Sequence, residues 1–304
     1  MGALRRLTIG LVTLCMALSL AGCAAPKLTL DPEELYALPE LPERYTALNQ
    51  QLSAIQEGGA EYATPVSGSN IQPVQMMDLD GDGREEALAF FRQSDGEKPL
   101  KIYIFAADGD SYRQVAVIEG SGLAIYSVAY SDMNGDGKME IIVGWRVSME
   151  LQALTVYTLD GIRELARSDY VKYAVADLDG DGQRELTVLR ADETGAGTAD
   201  CYLWKNGILT LGSSIRVSMT MAELSQQGRI TVGVLRSSTP ALFVTGVADS
   251  ARAITDVLLL RNSELSNSVL SLTTGVSRES SRFRSLYPMD INGDGITEIP
   301  RTVP

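Results

Sequence analysis

The sequence has no histidine at all, and only three cysteines and two tryptophans among its 304 residues. Without histidine the chain cannot supply a Ser-His-Asp or Cys-His catalytic arrangement, a histidine-ligated metal or a histidine pH switch. Basic residues are also scarce: 26 Lys and Arg against 39 Asp and Glu give a net charge of −13 and a pI near 4.6. Such a chain is a poor partner for phosphate backbones, so no nucleic-acid partner is expected. Long apolar runs are missing too. The run Leu7–Leu20 is about 14 residues, short of the roughly 20 that cross a bilayer. What remains is globular in composition, with 45% apolar and 21% charged residues, and long enough for one large domain or two small ones.

Arg5 and Arg6 precede that apolar run, which ends in Leu20-Ala21-Gly22-Cys23. A basic start, a short apolar stretch and small residues before a cut site describe an export signal over 1–22. The Leu-Ala-Gly-Cys ending resembles the lipobox of bacterial lipoproteins. That resemblance implies cleavage before Cys23, acylation of Cys23, and a domain held outside the cytoplasm by an N-terminal lipid, with the membrane as a partner. Cys15 would leave with the signal and Cys23 would carry lipid, so only Cys201 remains and no intrachain disulfide is expected. Cys201 lies in an apolar run and is read as an inert core thiol.

Residues 23–42 hold Pro26, Pro32, Pro39 and Pro42 and read as an extended tether. Over 43–59, Tyr45, Leu48, Leu52 and Ile55 recur at helical spacing before Gly58-Gly59, which predicts an amphipathic helix.

From residue 60 onward the sequence repeats. Four segments align without gaps, at 78–86, 132–140, 177–185 and 290–298. Position 1 is Asp78, Asp132, Asp177 or Asp290. Position 3 is Asp80, Asn134, Asp179 or Asn292, and position 5 is Asp82, Asp136, Asp181 or Asp294. Position 9 is Glu86, Glu140, Glu185 or Glu298, with glycine always at position 6. A hard cation such as calcium takes six to eight oxygens at flexible geometry, and this spacing brings oxygens together. Position 7 is Arg84, Lys138, Gln183 or Ile296, residues that fit only if the backbone carbonyl is the ligand. Position 2 is apolar throughout (Leu79, Met133, Leu178, Ile291) and is expected to point into the core. These are not EF-hands, because position 12 is Ala89, Val143, Val188 or Arg301 rather than glutamate. Metal-free Asp-Gly turns are the competing reading.

The first three loops are each followed by a second marker between apolar runs: Asp108-Gly109, Asp160-Gly161 and Asn206-Gly207. These are hairpin signals, so each unit reads strand, loop, strand, connection, strand, tight turn, strand. Four antiparallel strands per unit describe a β-propeller blade, and an all-β propeller is the expected fold. The 113 residues between the third and fourth loops leave room for a hidden unit. Ala222–Gly228 matches the pattern and suggests a degenerate loop at 223–231, with Glu223, Ser225, Gln227 and Thr231 at ligand positions too poor in charge for calcium. An insertion of about ten residues is expected within 236–256.

The Asp-x-[Asp/Asn]-Gly-Asp-Gly-x-x-Glu loops inside four-stranded units resemble the FG-GAP/VCBS family of propeller repeats, similar to the calcium loops of integrin α-subunit propellers. The resemblance spans roughly 65–304 and implies about four bound calcium ions acting as structural clamps. After Glu298 only six residues remain. Either the chain is a truncated product of a longer gene, the preferred reading, or strands near 62–77 complete the last blade.

The resulting expectation is a lipid-anchored, calcium-stabilised module that binds a protein or glycan, with no catalytic residue assigned. The alternative is a carbohydrate-active enzyme, which needs two free carboxylates about 5–10 Å apart. Glu119, Glu150, Asp192 and Glu193 lie outside the loops but nothing in their context marks them. Without residues 1–22 the charge becomes −15, and fourteen carboxylates sit at loop ligand positions. The remaining acids and bases nearly balance, so the acidity belongs to the loops.

Overall fold

The computed structural model describes residues 45–299, except 95, 110, 249–251, 269–277 and 281–286. The backbone divides into two units, Met1–Glu43 and Arg44–Pro304. The expected signal, Cys23 and the tether fall in the first unit and lie outside the described residues. The account below concerns the second.

It opens with α1 (Thr46–Glu57), in which Leu48 and Leu52 are buried, Gln50 is exposed and Gln51 donates to the Tyr112 carbonyl. Gly58 ends it by donating its N–H to the Ala54 carbonyl, and Gly59 turns the chain at φ +88°. The helix packs against the strands at the two edges of the first sheet.

That sheet holds β1 (Ala60–Tyr62), β2 (Val74–Met77), β3 (Glu86–Gln93), β4 (Leu100–Asp108) and β5 (Ser111–Gly120). The second holds β6 (Ala124–Ser131), β7 (Glu140–Arg146), β8 (Gln152–Thr158) and β9 (Arg163–Asp169). The third holds β10 (Lys172–Ala176), β11 (Glu185–Ala191), β12 (Ala196–Lys205) and β13 (Ile208–Thr220). A short helix, α2 (Met221–Gln227), leads to the fourth, with β14 (Arg229–Leu235), β15 (Thr239–Ala248), β16 (Arg252–Arg261), β17 (Glu264–Asn267) and β18 (Arg278–Ser280). Every pairing is antiparallel and sequential strands are neighbours, except that β1 and β2 both pair with β3 and β18 adds to β16. The described residues are therefore all-β in class, with four blade-like sheets.

The sheets are held together by apolar layers shared between neighbours. Leu88, Phe90 and Ile102 of the first sheet meet Ile125, Val143 and Trp145 of the second. Ile142 and Val156 of the second meet Leu186, Val188 and Leu209 of the third, and Leu189 and Leu203 of the third meet Leu242 and Leu258 of the fourth. Because both faces of the middle sheets are covered, their second strands lose the in-out alternation of a half-buried strand. Ile141, Ile142, Val143 and Trp145 are all buried in β7. Position 2 of each loop joins these layers: Leu79, Met133 and Leu178 are buried in the first, second and third of them. Ile291 departs from the expectation. It is 62% exposed, because no further sheet among the described residues stands where the next layer would form.

Turn chemistry sets the outer hairpins. Asn206 (φ 52°) and Gly207 (φ 77°) form the two-residue turn between Lys205 and Ile208, both central residues in the left-handed region that such turns require. Asn262 and Ser263 do the same between β16 and β17, without a glycine to signal it.

Two expectations are corrected in the fourth sheet. Residues 223–231 are not a degenerate loop. Thr220 caps α2, its hydroxyl and the Glu223 carboxylate forming a reciprocal capping box, and β14 begins at Arg229. Nor does an insertion interrupt 236–256, which carries the strands β15 and β16; the additional element is α2, ahead of the sheet. Strands near 62–77 do not complete the last blade either, since β1 and β2 both pair with β3.

Met133→Ala removes a fully buried side chain from the layer between the second and third sheets. A loss of about 2–5 kcal/mol is expected in chemical denaturation, with the unfolding slope unchanged.

Candidate metal loops

Each of the four loops is folded by the same five hydrogen bonds. The position 1 carboxylate accepts the N–H of the position 4 glycine at 2.7–2.8 Å through one oxygen. Its other oxygen accepts the position 6 glycine N–H at 2.8–3.1 Å. The position 3 side chain accepts from N–H 5 at 2.9–3.2 Å, and the position 5 carboxylate accepts from N–H 7 at 2.7–2.8 Å. The position 9 glutamate accepts from N–H 2 at 2.7–2.9 Å. The residue before position 1 pairs with position 9 in every copy: Met77 with Glu86, Ser131 with Glu140, Ala176 with Glu185 and Met289 with Glu298. The glycines at positions 4 and 6 have φ between +76° and +88°, which is why glycine occupies both.

These bonds turn the side-chain oxygens inward while leaving each a second lone pair. Ligand oxygens of Asp78, Asp80 and Glu86 lie within 4.8 Å of one another, as do those of Asp177, Asp179 and Glu185, and of Asp290, Asp294 and Glu298. Oxygens sharing one calcium at 2.3–2.6 Å have about that spread, so the donor set fits a hard cation. The acids of the second loop form no such group among the described residues. In the second and fourth loops the Asn134 and Asn292 amides donate to the position 5 carboxylate, at 3.0 and 3.1 Å. At position 7 the two cationic side chains are engaged by carboxylates, so this position would serve a metal cation through its backbone carbonyl. Lys138 reaches Asp160, and Arg84 holds Asp82 at 2.6 Å, which pulls the Asp82 carboxyl below its usual range.

The position 9 glutamates of the first three loops are buried, 2–3% exposed, and Glu298 is half-buried. Loss of hydration raises Glu86, and raises Glu140 and Glu185 to about 7, with neighbouring loop carboxylates adding to the shift. A cation at the centre would relieve that repulsion.

Neighbouring loops also interlock. The Met139 N–H donates to the Leu79 carbonyl at 2.8 Å and the Arg184 N–H to the Met133 carbonyl at 2.7 Å, joining position 8 of one loop to position 2 of the loop before. A Cβ on Gly81 would stand 2.5 Å from the Gly137 carbonyl oxygen of the next loop. Thr297, position 8 of the last loop, donates instead to the Val234 carbonyl at 2.8 Å. Val234 thus takes the part of position 2 in the fourth sheet, and Gly233 the part of position 1. A Cβ there would meet the Thr297 hydroxyl at 2.2 Å, so no aspartate fits. Position 9 becomes Leu242, paired with Val232. The hairpin simply runs on to a short turn at Arg236–Ser238, which is the real form of the unit without a loop.

Outside the loops, Glu119 pairs with Lys101, whose ammonium lowers its carboxyl, and Asp192 pairs with Arg216 and is lowered first by the Thr194 hydroxyl. Glu150 lines a cavity of about 640 Å³ with Asp169, Tyr170 and Arg190, a juxtaposition that residue spacing alone does not reveal. A second cavity, about 520 Å³, opens beside the first loop and is lined by Asp80, Glu86, Arg113, Val115 and Leu159. Cys201 is buried, and burial raises its thiol to about 12, so it is inert.

Residues 78–143 match the family model described as an FG-GAP-like repeat. No curated protein matches the chain. Among solved structures it is similar to a hypothetical protein from Leishmania major at 13% identity, over 69% of this chain and 73% of that one, with a TM-score of 0.30. It is also similar to a Xanthomonas type IV secretion system related protein at 14% identity, over 67% and 97% of the two chains, with a TM-score of 0.29. Likeness at this level supports no functional argument.

Glu140 and Glu185 bind protons more tightly in the folded chain than in the unfolded one, where the usual carboxylate value applies. Their contribution to stability in the metal-free protein is therefore complete below that value and is lost as pH rises through about 7. In chelator, melting temperature is expected to fall across this window, and Glu140→Gln with Glu185→Gln should flatten the fall. An unchanged slope in the double variant would overturn the assignment.

Proposed function

We propose, from the match of residues 78–143 to the FG-GAP-like repeat and the four loops, that this chain is a lipid-anchored, extracytoplasmic interaction module that binds a protein or glycan and is stabilised by about four calcium ions. The observation that carries the reading is the fourfold repetition of one hydrogen-bonded loop, linked between units through positions 2 and 8. A metal in one loop would stiffen the backbone groups that the next loop holds, which suits a scaffold more than a reaction centre. The positions that would hold it are 1, 3, 5 and 9 of each loop, with the position 7 carbonyls of Arg84, Lys138, Gln183 and Ile296.

Cys23, with the apolar run before it, supports export and acylation. One cysteine bearing two or three acyl chains anchors stably, whereas a single chain is marginal. The bound partner would meet loop surfaces at the rims of the sheets. Among the described residues Glu119 and Asp192 are held in ion pairs with Lys101 and Arg216, and the loop carboxylates are committed to the metal sites, so the enzymatic alternative, which would fall to Glu150 and Asp169 in their shared cavity, is the weaker reading.

Calcium should raise the melting temperature and chelator should lower it; no shift in either direction would sink the metal assignment. Asp177→Ala with Asp181→Ala should lower calcium stoichiometry by one in calorimetry, and Glu223→Ala should leave it unchanged. A glycan array run beside a hydrolase and lyase screen should give binding without turnover. Turnover would replace the module with an enzyme.

A further inference from the structure

Successive antiparallel strands put the metal loops and the tight outer turns at one end of the sheets. The β7–β8 turn and the connection from β5 to β6 lie at the other. At this second end a group of aliphatic side chains stands in water. Met149 is 86% exposed, Val66 and Leu123 about half, and Val147 and Leu151 somewhat less. They are contiguous. The Leu123 N–H donates to the Arg146 carbonyl at 2.7 Å, Val66 N–H to the Ile125 carbonyl at 3.2 Å, and Val147 N–H to the Leu151 carbonyl at 2.9 Å.

We propose that this end of the sheets rests on a lipid bilayer, with the turn at 147–151 dipping Met149 and Leu151 into the headgroup and upper acyl region. The inference depends on the anchored reading above. Three observations carry it beyond a generic apolar patch.

The first is the backbone of the turn. Leaving water is costly for any peptide group without a partner. Here the Val147 and Ser148 N–H groups both donate to the Leu151 carbonyl, while the Ser148 hydroxyl accepts from the Glu150 and Leu151 N–H groups at 3.3 and 3.0 Å. Four of the five N–H groups of the turn thus carry their hydrogen bonds with them. The second is charge. Arg92 donates to the Leu123 carbonyl and the Arg146 guanidinium lies 5.0 Å from the centre of the Tyr126 ring, placing two cations and an aromatic at the base of the patch. Glu150 is the one carboxylate on the turn; Asp169 and Asp192 stand at the same end of the neighbouring sheets, Asp169 beside Arg190 in the cavity lining and Asp192 paired with Arg216. The loop carboxylates stand off by the length of β7, about 23 Å at 3.3 Å per residue, more than two Debye lengths of roughly 8 Å. They do not repel an anionic surface on this side. The third is reach: 21 residues lie between Cys23 and Tyr45, a span of at most about 80 Å when extended, which keeps the domain at high effective concentration over its own membrane.

The test uses the full-length lipidated protein in phosphatidylcholine–phosphatidylglycerol vesicles. Cys201 is buried and Cys23 carries lipid, so Met149→Cys takes an environment-sensitive dye selectively; Lys205→Cys, on the rim with the metal loops, is the control. Emission from position 149 should shift to the blue and be quenched by spin-labelled lipid about threefold or more above position 205, as expected for a side chain at the headgroup–acyl boundary. Equal, water-like emission at both positions would overturn the proposal. So would a blue shift without lipid quenching, which assigns the patch to a protein contact. Flotation of the parent against Cys23→Ser tests the anchor separately. If flotation survives Cys23→Ser, the anchor reading fails while the dye contrast still decides the face; if nothing floats, both fail.

Discussion

The interaction on which the rest of the structure depends is the hydrogen bond from the position 2 N–H to the buried glutamate at position 9. It closes an Asp-rich loop across the mouth of a hairpin, and it fixes the residue that donates it. That residue's side chain enters the layer between two sheets, and in the first two units its carbonyl accepts from the following loop. Loop closure, sheet packing and the register between units are therefore set at one peptide group. Burying a carboxylate for this purpose is unfavourable without compensation, and loss of hydration, with the neighbouring loop carboxylates, pushes Glu140 and Glu185 upward. A divalent cation would supply what is missing.

The fourth sheet shows what happens when that device is given up. With Gly233 and Leu242 in place of the aspartate and glutamate, the hairpin extends and the sheet is secured by other means. Asp256, fully buried in β16, accepts both the N–H and the hydroxyl of Ser218 on β13, at 2.6 and 2.7 Å. Thr297 still docks its peptide group on Val234. The position of the joint survives although its metal chemistry is gone. This separates two functions of the loop: holding a cation and presenting a carbonyl to the next unit.

Much of this was legible in the residues because the chemistry demands particular ones. Only an oxygen-bearing side chain serves at positions 1, 3, 5 and 9, only glycine tolerates the left-handed turns at 4 and 6, and Asn-Gly states its turn outright. The fourth sheet offered no such demands. Apolar residues at matching spacing, Ala222 and Leu224, imitated a loop while Thr220 and Glu223 carried the opposite message. A threonine three residues ahead of a glutamate, before an apolar residue, is a helix-start signature that outranks spacing, and it is the signal that locates α2. Ile291 was misjudged for a different reason. Its burial depends on a neighbouring sheet, and a residue's own sequence context cannot report whether that neighbour exists.

The acidity of the chain acquires a direction in the folded unit. Fourteen of its carboxylates gather at one end of the sheets, where a cation can neutralise them, and the largest exposed aliphatic side chain, Met149, stands at the other. A net charge of −13 spread evenly would oppose any approach to an anionic surface. Gathered at the far end, and screened over a distance much shorter than a strand, the loop charge opposes approach from that side, while the acids at the other end stand among arginines such as Arg190 and Arg216. Calcium would soften even this, returning eight positive charges when four loops are filled and drawing the opposing carboxylates inward. The same segregation that lets the loops collect metal leaves the other end free to be apolar, so the two ends of one stack of sheets can meet chemically different surroundings.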